Sequence, residues 1–175
     1  MAAHDSRSLV LARTVATVGI GAASGLVLSI PAWILPALDA APISPKDRLH
    51  LWSQIYDNGK ATALTVFPTC AILFAVAAFK AEAPALYLPA NIIARNRKLV
   101  LALCASLSAS VVGFTGAFMM PAIKRMKKEE SDLVAGSKPT FSSDEAIKKW
   151  GQQHLVRVAF ATTTFALAVA ELASS

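Results

Sequence analysis

Two groups of aromatic and ionisable side chains recur at the same helical spacing in this chain. Trp150, His154 and Arg157 stand at positions i, i+4 and i+7, and Trp52 and Tyr56 stand four residues apart. At 3.6 residues per turn, each group lies on one face of a helix. An imidazole beside a guanidinium can move a proton and hold a negative charge, while indole and phenol rings can stack on a flat ligand. These two groups are therefore the candidate functional residues of the chain.

The composition places these residues in a membrane protein. Of 175 residues, 55% are hydrophobic and only 16% are charged, whereas a soluble domain carries about 25% charged residues. Four segments are long and apolar enough to cross a hydrocarbon core of about 30 Å. They are residues 14–38, 61–79, 99–123 and 155–173. The predicted fold is therefore all-α, a single four-transmembrane-helix bundle over residues 1–175.

Charge and cysteine usage argue against several classes of function. The net charge of +6 comes from basic residues that flank the apolar segments, which favours contact with membrane lipids over nucleic-acid binding. Cys70 and Cys104 stand alone in apolar runs and are predicted to pack rather than to form a redox pair. No His, Cys or carboxylate grouping has the spacing of metal ligands, so no metal site is predicted. Few charges are expected inside the bundle, which disfavours a small transporter.

Capping residues and prolines predict where the helices begin and end. Ser44 and Pro45 fit the N-cap and first position of the second helix, and Ser142 with Glu145 fits a capping box that opens the fourth. Pro31 predicts a kink or an end in the first helix.

The remaining segments are predicted as connections. Residues 80–98 are expected to form a surface loop with a short interfacial helix, and residues 124–149 to form the mobile part of the molecule. In the fourth apolar segment, Arg157 and Glu171 lie near the two ends, where long side chains are expected to reach the lipid headgroups.

Helices that alternate in direction bring distant residues to one end of a bundle. The first and third helices end where the second and fourth begin, so the two groups described above meet there, together with Trp33 and Met120. The opposite end has no comparable set of aromatic and ionisable residues. The functional site is therefore predicted where the second and fourth helices begin, and the positive-inside tendency places that end in the cytoplasm.

The chain resembles the anthrone oxygenase-like family of small membrane proteins, and the resemblance covers nearly the whole sequence. The residues that carry it are Ser24, Gly25, Leu28, Ser29, Pro31, Trp52, Tyr56, Gly59, Phe114, Thr115, Met120, Pro121, Trp150, His154 and Arg157. Known members oxidise an anthrone to an anthraquinone with O2 in polyketide pathways, and no metal or flavin is recognised in them. The sequence departs from the family at Ala122 and Ile123, where members often carry Thr-Asn.

The resemblance implies a cofactor-independent monooxygenase of a lipophilic aromatic polyketide, with O2 as co-substrate. Neutral His154 would take a proton from the substrate, because burial and the neighbouring cation disfavour its charged form. Arg157 would hold the resulting negative charge, and Tyr56 would donate a hydrogen bond. The substrate-binding residues would be Trp52, Trp150, Trp33 and Met120.

Other interpretations of the same residues stay open. Trp52, Tyr56 and Trp150 have the composition of interfacial anchors, and Arg157 suits an ion pair or a headgroup contact. The competing function is a non-catalytic membrane scaffold or partner subunit, whose polar end binds another chain or a lipid headgroup. Assembly as a homo-oligomer is also open.

Overall fold

The computed structural model describes residues 7–81 and 92–174, and it consists of four long helices. They are α1 (Arg7–Ala40), α2 (Pro45–Lys80), α3 (Arg97–Val134) and α4 (Ser143–Ala173). No strand occurs within these two ranges. All four helices are long and apolar enough to cross a membrane, which confirms the predicted all-helical fold.

The helices form a closed bundle. Each packs against the next in the chain, and α4 packs back against α1. Gly21 allows α1 and α4 to approach closely, because a Cβ at this position would lie 2.6 Å from the ring of Phe165. Large apolar side chains such as Phe79 and Phe118 are exposed on the outside. This distribution suits helices that are surrounded by lipid rather than by water.

The predicted helix starts are confirmed. The Ser44 side chain accepts a hydrogen bond from the backbone N–H of Asp47, with Pro45 as the first residue of α2. The Ser142 side chain accepts one from the N–H of Glu145, and α4 begins at the next residue, Ser143. Each cap satisfies one of the N–H groups that the first turn of a helix leaves without a partner.

Two of the long helices contain a π-helical turn. One spans Ile30–Ile34 in α1 and includes Pro31, and the other spans Thr115–Met119 in α3. Pro31 therefore marks a local distortion, as predicted, although α1 continues to Ala40. A π turn holds more residues than an α turn, so the side chains beyond it are rotated around the helix axis.

The prediction of a mobile connection over residues 124–149 is wrong. Helix α3 continues to Val134, and α4 starts at Ser143, so only residues 135–142 lie outside the helices. Charged residues are frequent in this part of the sequence, but an apolar stripe runs between them. Its members Ile123, Met126 and Leu133 are buried at helical spacing. Buried Glu129 also fixes the loop, because the N–H of Thr140 donates a 2.6 Å hydrogen bond to its carboxylate.

The connection predicted over residues 80–98 lies partly outside the described residues. Within its described part, a helical turn spans Ile92–Arg95, and α3 begins at Arg97.

A second expectation fails at the end of the bundle where α1 begins and α4 ends. Glu171 does not reach outward, because its side chain is only 2% exposed. Its Oε1 accepts hydrogen bonds from Arg13 at 3.0 Å and from Nε of Arg97 at 2.7 Å. We call these three residues the ionic end. The sequence did not reveal the cluster because its members come from three helices and are far apart in the chain.

Candidate functional site

Rings from α2 and α4 meet in a continuous row at the other end of the bundle. Tyr56 stacks on Trp52 with ring centroids 5.7 Å apart, and Trp52 meets Trp150 edge to face at 5.6 Å. Trp150 in turn lies 5.1 Å from the imidazole of His154. The fifth member, Arg157, contacts His154 one turn further along α4. We call these five residues the aromatic site.

The aromatic site is closed from its surroundings. The side chains of Trp52, Trp150 and His154 are almost completely buried, whereas Tyr56 is half-buried and forms its edge. The helical spacing of four residues aligns the rings on each helix. Because α2 and α4 both begin at this end of the bundle and run in the same direction, their two rows meet. The structure thus brings together five of the seven predicted site residues.

Two polar contacts of His154 indicate which of its ring nitrogens carries the hydrogen. Its Nε2 lies 3.0 Å from the backbone oxygen of Val27 in α1. Because a carbonyl oxygen only accepts, Nε2 carries the hydrogen and donates it. Its Nδ1 lies 3.4 Å from Nη1 of Arg157, and a guanidinium only donates, so Nδ1 is an acceptor. His154 is therefore a neutral imidazole whose lone pair, on Nδ1, is directed toward a cation.

Arg157 is a buried cation without a carboxylate partner in the part of the chain that the structure describes. It is only 7% exposed and does not reach outward, so the expected headgroup contact is wrong. A buried charge is costly unless it is neutralised or solvated by polar groups. Nη1 of Arg157 lies 3.4 Å from Nδ1 of His154, and Tyr56 is close enough to interact with Arg157 electrostatically.

Three N–H donors of the aromatic site have no acceptor among residues 7–81 and 92–174. They are the indole N–H groups of Trp52 and Trp150 and the Nε–H of Arg157. A buried donor without an acceptor costs about 1–3 kcal/mol. The site is therefore rich in donors, and a ligand that carries acceptor oxygens would complement it.

A lysine from α3 secures the outer edge of the aromatic site. Nζ of Lys127 donates to the hydroxyl of Ser53 at 2.7 Å and to its backbone oxygen at 3.2 Å, and it also binds Asp57. The same ammonium group lies 5.8 Å from the centre of the Tyr56 ring. These contacts attach α3 to the turn of α2 that carries Trp52. Lys127 has no distinctive signal in the sequence, because only the continuation of α3 brings it to this position.

Two predicted substrate residues lie apart from the aromatic site. Trp33 is 74% exposed on the outside of α1, and Met120 is half-buried. The neighbouring Met119 is fully buried and packs in the apolar cluster that contains Trp52 and Trp150. The π-helical turn that ends at Met119 accounts for the shift, because it changes the phase of the helix by about one residue.

Ile123 belongs to the same apolar cluster and is 1% exposed. This is the second of the two positions at which the sequence departs from the Thr-Asn of the family. An aliphatic side chain here adds packing contacts but offers no acceptor to the two indole N–H groups nearby. At Ile123 the departure therefore affects the interior of this cluster.

Neither cysteine is part of the site. Cys70 and Cys104 are buried and free, and their thiols face the backbone oxygens of Ala16 and Thr164. The packing role predicted for them is confirmed. In the described ranges, no group of three or more His, Cys, Asp or Glu residues is arranged to hold a metal ion.

Comparison with known proteins gives one match. The sequence model of the family described as anthrone oxygenase matches residues 52–167, a range that contains all five residues of the aromatic site. No curated protein and no solved structure matches the chain. Because the matched range covers about two thirds of the sequence, the chain belongs to the anthrone oxygenase family.

Proposed function

We propose that this member of the anthrone oxygenase family is a membrane-embedded monooxygenase that converts an anthrone-type aromatic polyketide into the quinone with O2. One observation carries the proposal. The lone pair on Nδ1 of His154 and the guanidinium of Arg157 lie together in a buried site walled by Trp52, Trp150 and Tyr56. A base beside a cation without a carboxylate partner suits a substrate that becomes an anion during the reaction.

The first step is removal of a proton from the substrate. The CH2 group of an anthrone is acidic, because loss of its proton gives an anion that is delocalised over the carbonyl and both rings. Nδ1 of His154 accepts this proton, and Arg157 stabilises the charge on the carbonyl oxygen. In a site from which water is excluded, this electrostatic stabilisation is stronger than in water.

The anion then reacts with O2 without an external reductant. One electron passes from the anion to O2, and the resulting radical and superoxide combine to form a C–O bond and a peroxide. The imidazolium returns its proton to the peroxide. Loss of the second C–H proton breaks the O–O bond, leaving one oxygen atom in the new carbonyl and releasing the other as water. The electrons balance, because oxidation of CH2 to C=O supplies the four that O2 accepts.

The walls of the site provide recognition. The indoles of Trp52 and Trp150 offer flat apolar surfaces and N–H donors that have no acceptor in the described ranges. A polycyclic ketone complements both properties, since its rings stack and its oxygens accept. Tyr56 at the edge can donate a further hydrogen bond. In this proposal, neither a metal nor an organic cofactor takes part.

The proposed substrate and the proposed location agree. An anthrone is lipophilic, and large apolar side chains are exposed on all four helices, so substrate and product can reach the site through the lipid. The aromatic site lies at the end of the bundle that the positive-inside tendency assigns to the cytoplasm.

Oxygen uptake by purified protein tests the proposal. Wild-type protein should accelerate anthrone-dependent O2 consumption above the uncatalysed background, and His154→Ala should lower the accelerated rate by about a hundredfold or more, as expected for loss of a general base. His50→Ala is the matched control, because His50 is an exposed residue on α2 that pairs with Glu130. Equal rates for wild type and a folded His154→Ala variant would contradict the proposed function.

A further inference from the structure

A proline in α1 lies one helical turn after the carbonyl that contacts His154. In an α-helix, the N–H of each residue donates to the carbonyl four residues earlier. Residue 31 is a proline and has no N–H, so the carbonyl of Val27 cannot receive its regular helical hydrogen bond. That same carbonyl accepts the hydrogen bond from Nε2 of His154 at 3.0 Å.

Because both partners are buried, this hydrogen bond determines which ring nitrogen of His154 carries the hydrogen. His154 is 0% exposed, and Val27 is buried as well, so water does not compete for either partner. The π-helical turn Ile30–Ile34 starts three residues after Val27 and includes Pro31. Turns of this kind occur frequently at functional sites because they change the direction of backbone groups.

We infer that Pro31 is a positioning residue, which acts through the backbone carbonyl of Val27 to hold His154 in the tautomer with hydrogen on Nε2. The lone pair is then confined to Nδ1, the nitrogen that faces Arg157 at 3.4 Å. The consequence for proton transfer rests on the proposed function: the substrate proton goes to Nδ1, next to the cation that stabilises the anion. In the other tautomer, the lone pair would face the carbonyl of Val27, and the base would be directed away from Arg157.

The direct test is the ring-nitrogen NMR spectrum of protein labelled with 15N-histidine in detergent micelles. Protonated and unprotonated imidazole nitrogens resonate far apart, so the tautomer of a neutral histidine can be identified. The signals of His154 are assigned by their loss in His154→Gln. Wild-type protein should contain His154 with hydrogen on Nε2 only. A wild-type His154 that carries its hydrogen on Nδ1, or that exchanges between tautomers, would overturn the inference without any proline variant.

Pro31→Ala tests the cause. The variant restores an N–H that competes for the carbonyl of Val27, so the tautomer with hydrogen on Nδ1 should appear in the spectrum. Turnover should fall about fivefold to tenfold, the size of one neutral hydrogen bond. Pro36→Ala is the matched control, since Pro36 lies in the same helix and its restored N–H would face residue 32 instead. It should leave both the spectrum and turnover unchanged.

The two proposals can fail separately. The NMR measurement needs neither substrate nor O2, so a protein without oxygenase activity would still show the predicted tautomer. A folded Pro31→Ala variant with the wild-type spectrum would overturn the role of Pro31. If Pro31→Ala does not fold, the 13C–15N distance between labelled valine carbonyl carbon and His154 Nε2 in wild type decides. One valine carbonyl should lie at a short distance from Nε2, and this short distance should disappear in Val27→Ile, where the carbonyl of residue 27 carries no label. That result supports the contact. A wild-type protein without any short distance overturns it.

Discussion

Each end of the bundle contains a buried arginine, and the two ends differ in the partner that this arginine has. At the ionic end, Arg13 is matched by the carboxylate of Glu171 at 3.0 Å, and Arg97 binds the same oxygen. At the aromatic site, Arg157 has no carboxylate partner among the described residues, and its Nη1 lies 3.4 Å from Nδ1 of the neutral His154. A matched buried charge ties helices together, whereas a buried cation without a matching anion favours a ligand that brings one. The comparison predicts that stability depends on one end and chemistry on the other.

The largest effect on stability is expected at the ionic end. Glu171→Gln leaves buried Arg13 facing a neutral amide, and breaking a buried pair in this way costs roughly 3–5 kcal/mol in the free energy of unfolding. Equilibrium unfolding in mixed micelles measures the change. Asp132→Asn is the control, because Asp132 belongs to an exposed pair with Lys128 that is worth about 0–1 kcal/mol. Equal losses in the two variants would remove the distinction between the ends.

At the aromatic site, the loss of a buried arginine should lower turnover and not stability. Arg157→Met replaces the unmatched cation with an apolar side chain of similar length, so stability should stay unchanged or rise, while turnover should fall about 10²–10³-fold. Unfolding and O2 uptake are measured on the same preparation. Arg48→Met is the contrasting variant: Arg48 is paired with Asp144 at 2.6 Å, so its loss should affect stability more than turnover. A large loss of stability in Arg157→Met would show that Arg157 has a structural role.

The ionic end also shows what the sequence could and could not predict. Charge-free segments and caps such as Ser44 and Ser142 predicted the four helices, because the length of an apolar run and the first turn of a helix are local properties. The pair of Arg13 with Glu171 joins residues 158 positions apart. No local pattern predicts it, so Glu171 was expected to reach the lipid headgroups instead.

The aromatic site was predictable to a similar extent. Spacing of four residues and alternating helix direction were sufficient to bring Trp52 and Trp150 together. Met119 was missed because periodicity does not reveal a π-helical turn. Trp33 was misplaced because periodicity does not show that this side chain points outward. The contact between His154 and the carbonyl of Val27 was also missed. The signal for it was present in Pro31, but a free carbonyl has no sequence signature of its own.

A moderate effect is expected from the indole donors. Anthraquinone and anthracene have the same flat shape, but only the quinone carries acceptor oxygens. The wild-type aromatic site should bind anthraquinone about tenfold more tightly than anthracene, and Trp150→Phe should reduce this preference severalfold, because one hydrogen bond is worth about 1 kcal/mol. Equilibrium binding in micelles of fixed composition gives both affinities. Trp33→Phe, at an exposed position, should keep the full preference, and its loss in that control would contradict the assignment of the donors.

The smallest effect is expected at the edge of the site. Lys127→Met removes the contacts to Ser53 and Asp57, so turnover should fall by no more than a few fold and the free energy of unfolding by about 1 kcal/mol or less. The neighbouring Lys128→Met is the control, because Lys128 is 81% exposed and pairs with Asp132 of the same helix. Identical rates for the two variants would show that the attachment of α3 to α2 does not support the site.

The most direct test of the central claim is to add anthrone to the protein in the absence of O2 and to record its visible absorption. Without O2 the reaction stops at proton removal, and the delocalised anion absorbs at longer wavelength than the neutral ketone. Wild-type protein should produce the band of the anion, and Arg157→Met and His154→Gln should not, although all three proteins remain folded. Bound anthrone that stays neutral in wild type, or an equally strong anion band in Arg157→Met, would contradict the claim that the unmatched cation of the aromatic site stabilises the substrate anion.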